Sequence, residues 1–121
     1  MMTPKKILYL LRQAPYATSH ALEALESALV AGVFEQDVTV LFKDDGVWQL
    51  VSDQAGEALS TRTISKIVTA LPEYDIESLC VCEQSLKERN LVPGDLILPV
   101  EPISLAAQGE LISSMDAVVN D

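Results

Sequence analysis

The sequence predicts an α/β protein, a single-domain three-layer α/β/α sandwich over residues 1–121 with a mostly parallel sheet of about five strands. Three observations lead there. Short apolar runs of strand length alternate with longer segments of helical periodicity, and helices of that length are the usual crossovers between parallel strands. Hydrophobic residues fill 49% of the 121 positions but aromatics only 5%, so the core rests on Leu, Val, Ile and Ala. The length suits one compact domain that needs no disulfide or metal to hold its core, and no internal repeat, low-complexity segment or linker divides it.

Residues 6–11 read as a buried first strand, followed by a loop over 12–19 that contains Pro15 and offers Thr18 or Ser19 as a helix cap. From 20 to about 34, Leu22, Leu25, Ala28, Leu29 and Val33 recur at helical spacing with Glu23 and Glu26 on the other side. A second strand spans 37–42, and the Asp45-Gly46 pair after it signals a turn. A short extended piece is expected over 47–51 and an irregular loop or weak helix over 52–60. Ile64, Ile67, Val68 and Leu71 mark a second amphipathic helix stopped near Pro72. The third main strand is expected at 76–81, a helix at 83–90, a turn at 92–95 and an edge strand at 96–100, where Pro99 rules out a central position. A helix over 104–114 and a short strand at 117–119 complete the chain.

In a sheet of this kind, sites form beyond the carboxyl ends of the strands. Three loops qualify: 12–19, 43–48 and the turn at Cys82. Both cysteines sit at the third, Cys80 inside the strand and Cys82 at its rim, where a helix begins. A thiol reacts as its thiolate, which the unpaired amides of a helix start favour. Free cysteine is also among the most buried residue types, so packing and chemistry both stay open for the pair. Glu83 disfavours the thiolate, and Lys87 and Arg89 offset it only if the fold turns them toward the sulfur.

Other chemistry finds little support. Eight Lys and Arg against eighteen Asp and Glu give a net charge of −10 with no basic run, which repels polyanions and disfavours both tight direct nucleic-acid binding and polybasic membrane contact. No segment has the roughly 20 apolar residues of a membrane span. The apolar run at 7–11 is too short for a signal peptide and Arg12 interrupts it, so a reducing cytoplasm and free thiols are expected. Phosphate-loop and dinucleotide fingerprints are missing, and no cofactor is expected. Asp44 and Asp45 read as turn chemistry ahead of a cation site. Cys80, Cys82 and His20 supply at most three soft ligands, short of a closed zinc site, so no metal is expected. His20 suits a solvated helix start, since nothing in the sequence gives it a catalytic partner. Trp48 is either an anchor for a partner or a cover for its own core edge.

Taken together, the residues resemble the DsrE/DsrF-like sulfur-relay family, and most closely its TusC/DsrF branch. Three stretches carry the likeness: the strand 7–11 with Ala14-Pro15 ahead of a small-residue helix; Leu41-Phe42-Lys43-Asp44-Asp45-Gly46-Val47-Trp48-Gln49-Leu50; and Tyr74-Asp75-Ile76-Glu77 running through Cys80-Val81-Cys82 to Ser85-Leu86-Lys87-Glu88-Arg89-Asn90-Leu91. The loop carries Tyr16-Ala17 where Pro-His-Gly is commoner. The resemblance implies a supporting subunit of a cytoplasmic heterohexamer with related TusB/DsrH-like and TusD/DsrE-like subunits. Such a complex passes persulfide sulfur to a downstream acceptor protein, toward tRNA wobble 2-thiouridine or sulfur oxidation. Cys82 matches the active cysteine of the TusD/DsrE sister, so the resemblance carries the role of persulfide acceptor to that residue as the alternative to a supporting role. As a carrier Cys82 has Cys80 as its auxiliary neighbour, and in a supporting subunit Trp48 helps bury an interface.

Overall fold

Five apolar segments pair side by side in the computed structural model, which describes residues 4–15, 20–51 and 59–121. The strands are β1 (Lys6–Leu11), β2 (Asp37–Phe42), β3 (Ser78–Cys82), β4 (Glu101–Ile103) and β5 (Ala117–Asn120). They form one sheet in the order β4-β3-β2-β1-β5, and every pairing is parallel. The helices are α1 (His20–Val33), α2 (Leu59–Ala70), α3 (Glu83–Glu88) and α4 (Leu105–Ser113). The expected three-layer α/β/α arrangement is what forms.

The order fixes which helix covers which face. Chain progress from β1 to β4 runs one way across the sheet, and the step from β4 to β5 runs back over its whole width. Since parallel crossovers are right-handed, α1, α2 and α3 lie on one face and α4 alone crosses the other. Burial follows the same division. Tyr9, Leu11, Val38, Val40, Phe42, Leu79 and Val81 share one hydrophobic cluster with α1, α2 and Leu86 of α3. Leu8, Thr39, Leu41 and Cys82, at the alternating positions, are buried outside that cluster on the α4 side.

Local chemistry explains most boundaries. Ala21, Ala24, Leu25 and Ala28 form the buried stripe of α1, small side chains that let the helix approach the sheet. The expected stripe ran on to Val33, which is 62% exposed, because the chain leaves the helix through Glu35 at φ 61°. The hydroxyl of Tyr9 reaches back to Ser27 Oγ at 2.9 Å, so its buried ring keeps a polar partner. After α2 the chain tightens into a 3₁₀ turn at Leu71–Tyr74, since Pro72 has no N–H to extend an α-helix. The N–H of Ile76 bonds to the Leu71 carbonyl in closing that turn, so β3 starts at Ser78 and not at the expected Ile76. Ser104 caps α4 by accepting from the Ala107 N–H at 3.1 Å.

Two expectations need correction. The stretch expected as an Asp-Gly turn and extended piece is a 3₁₀ helix over Asp44–Leu50 that buries Val47, Gln49 and Leu50. The stretch 96–100 is not a strand: Leu96 makes one antiparallel bridge to Val51, the Ile97 N–H bonds to the Leu50 carbonyl, and Pro99 has no N–H for a ladder. The edge strand forms one step later, with Pro102 opposite Val81. The cap at Thr18 or Ser19 and most of the loop expected at 52–60 lie outside the described residues. No described helix is long and apolar enough to cross a membrane.

Gly46 is where the Asp44–Leu50 helix meets β1. A Cβ there would overlap the Leu11 carbonyl, which accepts the Lys43 N–H at 3.0 Å. The obstacle is backbone, so it cannot swing aside. Gly46→Ala is expected to lower the unfolding free energy by about 2–3 kcal/mol, the upper range for overpacking, read as a shift in the urea midpoint.

Candidate functional site

The three loops singled out from sequence meet at the carboxyl edge of the sheet. Arg12, just after β1, pairs with Asp44 at 2.8 Å. The Asp44 N–H donates to Ser85 Oγ at 3.0 Å, linking the loop after β2 to the first turn of α3. Arg89 donates to the Ser85 carbonyl at 3.2 Å and to Asp45 at 2.9 Å. Gln49 Nε2 reaches the Gln13 carbonyl at 2.9 Å. The two aspartates therefore face arginines, in keeping with turn chemistry, and among the described residues no cluster of three or more His, Cys, Asp or Glu forms.

Cys82 is the last residue of β3 and the N-cap of α3, with extended backbone at φ −69° and ψ 115°. Both cysteines are free thiols, and strand alternation puts both on the α4 face. Their burial runs against their places in the strand. Cys82, at the rim, is 1% exposed, whereas Cys80, inside the strand, is only partly buried. The cause is α4, which passes over the carboxyl end of β3. Cys80 instead lines an open cleft of about 550 Å³ with Thr39, Ser78, Glu101 and Leu111.

The two sulfurs also differ in charge preference. Burial raises the Cys80 pKa, and the nearby Glu101 carboxylate adds to the rise. At Cys82 burial also opposes charge, but the Ser85 hydroxyl and N–H, the Gln108 side chain and the Gln84 N–H together outweigh it, and the pKa is lowered. As a neutral thiol, Cys82 makes no side-chain cap bond to α3. These donors act on the thiolate. Ser85 is free to do so because its oxygen accepts from Asp44, leaving its own hydrogen for the sulfur.

The charged neighbours weighed from sequence are engaged elsewhere. Glu83 pairs with Lys87 at 3.2 Å, which mutes its repulsion of a thiolate, and Arg89 is committed to Asp45 and Ser85. His20 lines a separate hollow with Glu23, Val119 and Asp121 beside β5. Strands β2 and β1 lie between it and Cys82, a separation of about 14 Å at the usual strand spacing, so no Cys-His pair forms. Trp48 is half-buried in the Asp44–Leu50 helix.

Sequence reasoning missed two residues. Ser85 lies three positions after Cys82, the spacing at which a first-turn side chain faces its N-cap. Gln108 is the sole buried residue of α4 and is only 3% exposed. Its signal was a polar residue on the 108, 111, 115 stripe of a helix, legible only once that stripe is known to face the sheet.

With this geometry in view, comparison with known proteins settles the lineage. The model of the DsrE/DsrF-like family matches residues 5–120. The chain belongs to the DsrE/DsrF-like family. Among family relatives, the intracellular sulfur oxidation protein DsrF of Allochromatium vinosum is 38% identical over 94% of this chain and 94% of its own. A TusC homologue of Pseudomonas aeruginosa is 35% identical over 95% of this chain and 97% of its own. The crystal structure of the ychN protein from E. coli superposes with a TM-score of 0.77 at 22% identity, covering 97% and 99% of the two chains, and supports the fold.

The lowered Cys82 pKa has a definite sign in stability. A thiol whose folded pKa lies below its unfolded value adds stability above the unfolded pKa and loses it as pH falls through the folded one. Cys80, with a raised pKa, contributes fully below the unfolded pKa and loses its share as pH rises. In a Cys80→Ser background, titration of thiolate ultraviolet absorbance is expected to place the Cys82 midpoint below that of free cysteine, and Ser85→Ala to move it upward. A midpoint indifferent to Ser85→Ala contradicts the assigned donor.

Proposed function

We propose that this chain is a subunit of a cytoplasmic sulfur-relay complex, in a supporting role beside related TusB/DsrH-like and TusD/DsrE-like subunits. Support comes from family membership across nearly the whole chain and from relatives named DsrF and TusC. The observation that carries the supporting role is the burial of Cys82: at 1% exposure beneath α4, the thiol is sheltered from an incoming donor. Trp48 is the proposed anchor at the subunit interface. The net charge of −10 argues against direct RNA contact, so in either pathway, tRNA 2-thiolation or sulfur oxidation, a downstream protein takes the sulfur.

A second reading, that Cys82 itself carries sulfur, is favoured by the donors around it. The Cys82 thiolate attacks the outer sulfur of a persulfide R–S–SH, a new S–S bond forms as the donor's S–S bond breaks, and R–S⁻ leaves. Cys82–S–SH then yields its outer sulfur, with its hydrogen, to an acceptor thiolate, and Cys82 departs as the thiolate. The same donors that lower its pKa make it a good leaving group. Cys80 stays the auxiliary neighbour.

Two mass measurements test these readings. Native mass spectrometry with the related subunits is expected to show mixed assemblies, and a chain that stays alone with each of them contradicts the relay-subunit reading. After incubation with a persulfide donor, one added sulfur that disappears in Cys82→Ser but persists in Cys80→Ser establishes the carrier. No added sulfur leaves the supporting role.

A further inference from the structure

Helix α4 packs on the sheet through a residue that is costly to bury. Its sole buried side chain is Gln108, whose Nε2 donates to the Ile103 carbonyl at 3.3 Å. Ile103 is the register partner of Cys82 across β4 and β3, so this bond fixes the carboxamide beside the sulfur. It also fixes the orientation, since the reversed amide would set oxygen against oxygen. Gln108 Oε1 is left without a hydrogen-bond partner among the described residues. An apolar residue of the same length would fill the space without that penalty, so packing does not explain the choice.

A thiolate needs only donors, and the Gln84, Ser85 and Gln108 groups supply them. A persulfide presents a different pattern: an inner sulfur that accepts and an outer S–H that donates. The carboxamide offers the complement, N–H and a free C=O, and an S–S bond of about 2.05 Å is comparable with the span between its two polar atoms. We propose that Gln108 is a sulfane-sulfur-binding residue, whose N–H faces the Cys82 sulfur and whose Oε1 accepts the outer S–H of Cys82–S–SH. Deprotonated, the outer sulfur is a nucleophile and resists attack by a thiolate. Held as S–H against a buried carbonyl, it stays electrophilic and transferable. Access requires α4 to lift, and a helix with one buried side chain opens at small hydrophobic cost.

This assignment rests on the carrier reading of Cys82, and the experiment separates the two. In a Cys80→Ser background, wild type, Gln108→Met and Gln108→Glu are loaded with inorganic polysulfide, and the lifetime of the added sulfur is followed by mass. Thiolate absorbance titrations and urea midpoints are recorded alongside. Gln108→Met is expected to shorten that lifetime by about tenfold, the effect of one net hydrogen bond, and to raise the thiol midpoint while keeping the urea midpoint. Gln108→Glu, isosteric but acidic, is expected to raise the thiol midpoint further, and it stands in if the Met variant fails to fold. Loaded wild type with equally long-lived sulfur in Gln108→Met, or thiol midpoints unmoved in both variants, overturns the role of Gln108 alone. Wild type that takes up no sulfur overturns the carrier reading and this inference with it.

Discussion

Ser85 holds the carboxyl edge together. Its hydroxyl oxygen takes the N–H of Asp44 at 3.0 Å, a backbone group that sits in the left-handed region at φ 51° and starts the 3₁₀ helix after β2. Its carbonyl takes a hydrogen bond from Arg89, which turns the guanidinium onto Asp45. The remaining hydroxyl hydrogen is left for the Cys82 thiolate, whose pKa the Ser85 group helps to lower. One small side chain thus couples the loop after β2 to the first turn of α3, the helix that Cys82 caps. The exposed Arg12–Asp44 pair adds little, as surface ion pairs are worth about 0–1 kcal/mol. The part-buried hydrogen bonds of Ser85 carry the geometry.

Much of this was readable from residue order because local pattern and tertiary need agree in the middle of the sheet. The segments Lys6–Leu11 and Asp37–Phe42 are continuous apolar runs, and as inner strands flanked by helices they have no alternative use. Agreement fails at the edge. The apolar stretch 96–100 has strand composition, yet Ile97 gives its N–H to Leu50 and the pairing with β3 moves on to Glu101–Ile103. A long-range hydrogen bond decided that register, and nothing within the stretch announces it. The Asp44–Leu50 helix was hidden for the same reason: the N–H groups at its start, of Lys43 and Asp44, are satisfied by the Leu11 carbonyl at the end of neighbouring β1 and by Ser85 in α3.

The site divides along the same line. Cys82 could be found from sequence because a strand-to-helix junction is a local feature. The relative burial of the two cysteines could not, because the helix that shelters Cys82 arrives from 23 positions beyond it, starting at Leu105, within the crossover from β4 to β5 that reverses the direction of winding. Glu83 illustrates the converse. Its charge looked adverse beside a thiolate, but its i, i+4 partner Lys87 is an equally local feature and takes it up.

The lone passage of α4 across one face has a kinetic meaning. A sulfur beneath a helix reacts only in the fraction of molecules whose helix is lifted, so its apparent reactivity is its intrinsic reactivity multiplied by that fraction. The donors around Cys82 set the first factor and the seating of α4 sets the second. A neighbouring protein that binds the opened form would quicken the chemistry without touching the sulfur, while one that clamps α4 would silence it. The exposed Leu105 and Ile112 lie on this same helix, so an outward apolar surface and the cover over the thiol belong to one element.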